Sequence, residues 1–301
     1  KGDGGPSVGN LFSRILYAIR FGSDQILFSD RVTSESQILY DRSPKERVAK
    51  VAPYLTLDGR VYPAVVDGRV KWIVDGYTTS DASPYSQMTD LGSATKDSTT
   101  VSSATVSSLG SQKANYIRNS VKATVDAFDG TVKLYAWDEQ DPILKAWQSV
   151  FPGTVQPRST MSGDLMSHIR YPQDLLKVQR QLLTEYHVTD AAAFYYGSDR
   201  WRVPKDPNHN SQDQPVYFQS LAMPDQQTPA FSLTTTFVPL ANSEGSREIM
   251  RGLLVVDADA GSKAGQPSDQ FGTLRLLSFP GRFSGPAQVL NQIQTSPERS
   301  Q

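Results

Sequence analysis

Three Asp-Gly pairs, Asp58-Gly59, Asp67-Gly68 and Asp75-Gly76, punctuate a run of alternating apolar and polar residues between Tyr54 and Tyr77. Asp-Gly supplies the positive φ angles that two-residue hairpin turns require, so the chain between such pairs is constrained to short antiparallel strands. The spacing predicts a three-stranded meander of Tyr54–Leu57, Arg60–Val66 and Arg69–Val74. Pro63, in its middle strand, predicts a bulge or a partly open ladder. Asp129-Gly130 repeats the signal between Val121–Phe128 and Thr131–Trp137. This second hairpin can join the first sheet, because a long intervening loop costs little extra entropy. Residues 92–112, which intervene, hold 11 Ser or Thr in 21 positions and few large side chains. That composition predicts a mobile, variable surface loop, with O-glycosylation as the other reading in an exported protein.

Helix signals surround this region. Leu11, Ile15, Leu16 and Ile19 recur at helical spacing and predict an amphipathic helix over 8–21, capped by Ser7, with Arg14 and Arg20 away from its apolar stripe. It reads as a helix packed on the core; the other reading is a basic helix lying on a membrane. Ser43-Pro44-Lys45-Glu46 and Asp141-Pro142 each place a cap before a proline suited to the first helical position, predicting helices to Val51 and Val150. Helices are expected at Ser162–Ile169, from Pro172 onwards, and at Ala191–Tyr196 behind a Thr189 cap. Residues 200–215 read as proline-punctuated loop. Strands are expected at Val216–Ala222, Phe231–Val238, Leu253–Ala258 and Leu274–Ser278, then a terminal helix over 287–294.

The order helix, sheet, helices, sheet predicts an α+β fold, with antiparallel sheets built from Asp-Gly hairpins and packed with a central helical segment. The expected organisation is a helical lead-in (1–42), a meander and hairpin region (43–158), a helical segment (159–214), and C-terminal strands with a terminal helix (215–301). Together these form one compact unit or two intertwined domains.

Composition removes whole classes of function. Thirty Lys and Arg balance 31 Asp and Glu, which gives no basic surplus for nucleic acid or an anionic membrane. There is no cysteine, so disulfides, thiolate metal sites and cysteine nucleophiles are excluded. His168, His187 and His209 share no metal-binding spacing. Patterns for serine hydrolases, P-loops and dinucleotide folds are missing as well. No cofactor, no metal and no catalytic residue is therefore expected.

Candidate binding residues remain. Asp138, Glu139 and Asp141 cluster after a strand beside Trp137. Such a group can supply an acid–base pair or a Ca²⁺ site, or can serve as helix caps, and Asp141 has the position of a cap. Asp257 and Asp259 resemble a turn, and Asp199, Asp206 and Asp213 surround His209 in a loop. Trp72, Tyr77, Tyr85, Trp137 and Trp201 lie near turns, where aromatics can line a lipid or glycan groove or simply fill a core.

The stretches VAPYLTLDGRVYPAVVDGRVKWIVDGYTTSDASPYSQ (51–87), NYIRNSVKATVDAFDGTVKLYAWDEQDPILKAWQSVFPG (115–153) and HIRYPQDLLKVQRQLLTEYHVTD (168–190) carry a resemblance that Ala222-Met223-Pro224 and FSLTTTFVP (231–239) continue. Together they resemble an uncharacterised family of multi-span membrane proteins, common in actinobacteria and found in cyanobacteria. Family members have several N-terminal membrane helices before a large extracytoplasmic domain, and this chain looks like that domain, cut at both ends. The resemblance implies a place on the extracytoplasmic face of the cell membrane, tethered by spans outside this chain. It brings no catalytic motif. Residues 92–112 depart from the family's more compact linkers. The expected role is a non-enzymatic module for envelope assembly, scaffolding or lipid handling, with a membrane-protein or envelope-lipid partner and no nucleic acid. The alternative is a carboxylate-dependent envelope hydrolase or transferase using two acids about 5–10 Å apart in an open cleft.

Overall fold

The computed structural model describes residues 5–240 and 249–296. The chain opens with α1 (Leu11–Phe21) and a short α2 (Gln25–Phe28). Asn10, not Ser7, caps α1: its side chain accepts from the Ser13 amide at 2.7 Å. The next helix, α3 (Pro44–Val51), begins as its sequence predicts, with Ser43 accepting from the Glu46 amide and Pro44 in the first turn.

Three strands follow: β1 (Thr56–Leu57), β2 (Tyr62–Val66) and β3 (Arg69–Ser80). Asp67-Gly68 makes the expected hairpin turn between β2 and β3, with φ of 51° and 74°. The other two Asp-Gly pairs do not make turns. The first strand pairs with the far end of β3, not with β2, and Asp58-Gly59 leads out of it into a buried corner. Asp75 and Gly76 run inside β3, because each has a packing role there. Asp75 pairs with Lys122 of the neighbouring strand. At Gly76, a side chain would come within 3.0 Å of Leu55 Cδ1. Pro63 is tolerated because β2 pairs on one side only.

Residues 92–112 are more structured than their composition suggests. Between β4 (Thr89–Asp90) and β5 (Lys113–Ala114) lie α4 (Leu91–Thr95) and α5 (Ser98–Ser102). Leu91, Ala94 and Leu109 join a core cluster with Tyr77 and Val178. Of the sparse apolar residues, Ala94 and Leu109 point inward while Val101 stays exposed, and side-chain caps hold much of the rest: Asp97 closes a capping box with Thr100.

The second hairpin, β6 (Tyr116–Asp126) and β7 (Val132–Ala136), does join the first sheet, turning through Gly130 at φ 75°. After α6 (Pro142–Val150), β8 (Val155–Pro157) adds in parallel to β7. The sheet order is β1-β3-β6-β7-β8, with β2 also on β3. Its one face packs Val74, Ala123 and Leu134 under Val48 of α3 and Leu144 of α6. The other face packs Ile73, Tyr135 and Trp137 against Leu165 and Met166 of α7 (Gly163–His168).

The central helix, α8 (Gln173–Tyr186), touches both halves. Val178 enters the cluster around Tyr77, and Leu176 packs with Leu233, Phe237, Leu254 and Val256 of a second sheet. Next, α9 (Ala191–Tyr196) is capped by Asp190, one residue after the predicted Thr189, and ends at Gly197. The proline-rich 200–215 stretch is not plain loop: it holds β9 (Trp201–Arg202) and a ribbon of β10 (Lys205–Asp206) and β11 (His209–Asp213). Then come β12 (Tyr217–Leu221), β13 (Ala230–Pro239), β14 (Ile249–Asp257), β15 (Leu274–Ser284) and α10 (Pro286–Thr295). The second sheet is antiparallel in order β12-β13-β14-β15, with β9 on the end of β13. Helices and two largely antiparallel sheets around a central helix make this an α+β fold.

Candidate functional site

Asp138, Glu139 and Asp141 are adjacent in sequence and turn to three different tasks. Asp141 is fully buried at the start of α6, where it accepts from the amides of Ile143 (3.1 Å) and Leu144 (3.3 Å). Tyr116 (2.6 Å), Ser120 (2.6 Å) and Thr78 (2.5 Å) also donate their hydroxyls to it. Burial alone would push its carboxyl up, but the Ser120, Thr78 and Tyr116 donors outweigh burial and hold it below the usual range. Asp138 pairs with Arg118 at 3.1 Å, and Glu139 accepts from the Arg158 amide. The arrangement contains caps and an ion pair, and no free carboxylate pair.

The five aromatics lie in different places. Trp72 packs half-buried on the core under α3 and α6, and Tyr77 is fully buried with its hydroxyl on Asp58. Tyr85 is fully exposed. Trp137 is buried edge-on to Phe271, with ring centres 5.4 Å apart, and Trp201 stacks on His187. Of the other acids named by the sequence, Asp257 pairs with Arg275, Asp259 with Arg170 and Asp213 with Lys205, Asp206 lies 3.6 Å from His209 Nδ1, and Asp199 meets His187 through its backbone carbonyl. Among the described residues, no group of three metal-ligating side chains assembles.

Two further features appear only in the folded chain. The first is a buried charge network centred on α8, which turns Asp174, Lys177 and Arg180 inward at three-residue spacing, each at most 2% exposed. Asp174 Oδ2 accepts from the Gly59 amide at 2.7 Å, and Asp58 Oδ2 accepts from the Asp174 amide at 3.2 Å. Lys177 Nζ lies 2.9 Å from Asp97 Oδ2 and 3.2 Å from Asp174 Oδ1. Arg180 donates to the Gln214 carbonyl at 2.7 Å. Nearby, Lys122 pairs with Asp75, donates to the Arg170 carbonyl and lies 5.1 Å from the Trp137 ring centre. Burial, then the charge of Asp58, push Asp174 up to about 7 against the pull of Lys177. Three charges at i, i+3 and i+6 share one helix face. That spacing was the available signal, but charges on one face ordinarily mark the solvent side.

The second feature is the direction of α1. Its apolar stripe faces outward: Leu11, Phe12 and Ile19 are 68%, 71% and 75% exposed, and Ile15 and Leu16 are exposed beside them. Ala18 is its one buried residue. Arg14 points inward instead, donating to the carbonyls of Val8 and Val32. Arg20 lies over Tyr40 and near Asp41. The expectation of a helix packed on the core through Leu11, Ile15, Leu16 and Ile19 is thus inverted. The side chain of Arg14 satisfies two backbone carbonyls, and Tyr17, Phe21 and Tyr40 pack together, so the inner side is complete without the stripe. Exposed Phe28 and Leu39 add to the apolar surface of this N-terminal unit.

Comparison with known proteins finds close relatives along the entire chain. A UPF0182 protein of Bifidobacterium longum is 67% identical over 308 residues, covering 100% of this chain and 29% of the relative. A UPF0182 protein of Bifidobacterium adolescentis is 62% identical, with 100% and 28% covered. One from Paenarthrobacter aurescens is 57% identical, with 100% and 30% covered. The chain therefore spans under a third of the length of these actinobacterial relatives. No helix among the described residues is long and apolar enough to cross a membrane. No solved structure matches. The family model described as "Uncharacterised protein family (UPF0182)" matches residues 1–301, and the chain belongs to that family.

Proposed function

We propose that this chain is a non-enzymatic, extracytoplasmic module of a larger membrane-tethered protein, and that it works by docking, in envelope assembly, scaffolding or lipid handling. The observation that carries the reading is the outward apolar stripe of α1. A solvated stripe of five large apolar residues is unfavourable by itself and calls for a covering surface. The occupant is the remainder of the same polypeptide. Relatives are about three times as long as this chain, so most of the protein lies outside it. A tethered surface also meets the stripe at high effective concentration. A bilayer fits less well, because an interfacial helix needs a free basic rim. Here Arg14 is turned inward and Arg20 is engaged with Tyr40 and Asp41. The extracytoplasmic placement is supported by the resemblance of residues 51–87, 115–153 and 168–190.

The hydrolase alternative required two free acids in an open cleft, and Asp138 and Asp141 are an ion-pair member and a helix cap. The test is to purify the full-length protein from native membranes in mild detergent and identify what accompanies it. A stoichiometric protein partner supports assembly, and a stoichiometric lipid supports lipid handling. Neither of these, together with hydrolytic turnover of envelope polymers, overturns the reading.

A further inference from the structure

Lys177, Asp97 and Asp174 meet in a place closed to water, with residue exposures of 1%, 0% and 1%. Asp97 Oδ1 accepts from the amides of Thr99 (3.0 Å) and Thr100 (3.1 Å) and from the Thr99 hydroxyl (2.6 Å). Its other oxygen, Oδ2, faces Lys177 Nζ at 2.9 Å and has no other partner. Asp174 Oδ1 stands 3.2 Å from the same nitrogen, and Lys177 also donates to the Thr95 carbonyl. The cluster thus combines a nucleophile, a carboxyl carbon whose oxygen is already held by donors, and a second carboxylate in reach of the proton.

We propose that Lys177 and Asp97 are a covalent modification site, joined by an intramolecular amide between Lys177 Nζ and Asp97 Cγ, with Asp174 as the acid–base group. Asp174 relays one proton from the ammonium to Asp97 Oδ2, leaving a neutral amine beside a neutral acid. The amine attacks Cγ and the C–N bond forms. Negative charge collects on Oδ1, where the Thr99 and Thr100 amides and the Thr99 hydroxyl receive it. Asp174 then takes a second proton from the nitrogen and passes it to Oδ2, the C–O bond breaks, and water leaves. One proton stays on the amide nitrogen, Asp174 is regenerated, and no oxidant or reductant is needed.

The surroundings favour this outcome. Desolvating two opposite charges commonly costs more than their attraction returns, and an amide removes both. Burial pushes the Asp97 carboxyl up, but the Lys177 charge and the Thr99 hydroxyl hold it below its ordinary value, so the reaction starts from the ion pair. Asp174, pushed up to about 7 by burial and by Asp58, is matched to taking and giving a proton near neutral pH. The bond ties the Ser/Thr-rich segment, which has few apolar anchors, to the central helix.

The test is the mass of the full-length protein and its tryptic map. The expected result is an intact mass lower by one water and a peptide 97–113 joined to a peptide 171–180, with no cleavage after Lys177. Separate peptides, cleavage after Lys177 and the full sequence mass overturn the proposal, and this reading needs no variant to fold. Lys177→Arg keeps the positive charge and is expected to restore the lost water. Asp174→Asn is expected to leave the peptides unlinked, and linkage to the wild-type extent in that variant overturns the role given to Asp174.

Discussion

The amide of Gly59 donates to Asp174 Oδ2 at 2.7 Å, seating a carboxylate of the central helix against the corner that follows β1. The same carboxylate faces Asp58, whose oxygens take the Tyr77 hydroxyl and the Arg60 and Asp174 amides. Lys45, partly buried, feels both acids. Two like charges in one buried corner cannot both ionise cheaply, and this gives the fold a pH dependence of unusual sign.

An Asp in the unfolded chain titrates near 4, whereas Asp174 in the fold stands at about 7. Between those values the folded state holds a proton that the unfolded state lacks. Its contribution to stability is present at the acid end and is lost as pH rises through about 7, with a slope of at most about 1.4 kcal/mol per pH unit. Urea unfolding between pH 5 and 8 is expected to show the midpoint falling with pH, and Asp174→Asn is expected to flatten the dependence. A wild-type midpoint that rises across that range contradicts the assignment.

Gly59 also sets a steric condition. A Cβ there would stand 1.7 Å from the Ser107 carbonyl oxygen and 2.9 Å from Asp174 Oδ2. Gly59→Ala must push the 103–111 segment away from the corner, and is expected to destabilise the fold by about 2–3 kcal/mol, read as a lowered urea midpoint. An unchanged midpoint would show that Ser107 does not rest on Gly59.

Asp138 and Asp141 separate by role. Asp141→Ala removes a helix cap and takes an acceptor from the buried hydroxyls of Thr78 and Ser120, which keep their bond to each other, so a loss of about 2–4 kcal/mol is expected. Asp138→Ala breaks a half-exposed pair with Arg118 and is expected to cost less than about 1 kcal/mol. The folded fraction of the double variant should retain its partner capture. Lost capture with unchanged melting would return these acids to a binding role.

Local chemistry made parts of this fold legible. Ser43-Pro44 and Asp141-Pro142 start helices because cap and proline act within one turn, and Asp67-Gly68 turns a hairpin because two positive φ angles suffice. The same dipeptide at Asp75-Gly76 signals a turn in the sequence because its partners, Lys122 and Val121, are more than 40 residues away and leave no local trace. Residues 92–112 looked unanchored for a related reason: Asp97 finds Lys177 only in the folded chain. The α1 stripe is legible as one face of a helix, but periodicity does not tell which way a face points. The carboxylates at 138–141 stood out by density, whereas the buried acids Asp58, Asp75, Asp97 and Asp174 are scattered along the chain.

Docking through α1 carries the proposed function, and Ile19 is the most exposed stripe residue, at 75%. Ile15→Ser with Ile19→Ser is expected to leave the melting temperature of the isolated chain within about 1 °C, because surface changes away from packed contacts are nearly neutral. A large drop would mean that the stripe packs within this chain.

The chain has no cysteine, so Ile19→Cys introduces a single reactive position here. In full-length protein held in native membranes, with cysteines elsewhere replaced, a photo-crosslinker on that thiol reports what covers the stripe. A crosslink to a peptide of the same polypeptide from outside these 301 residues is expected. Capture of lipid alone, of a second protein alone, or labelling as open as in the isolated chain would contradict it.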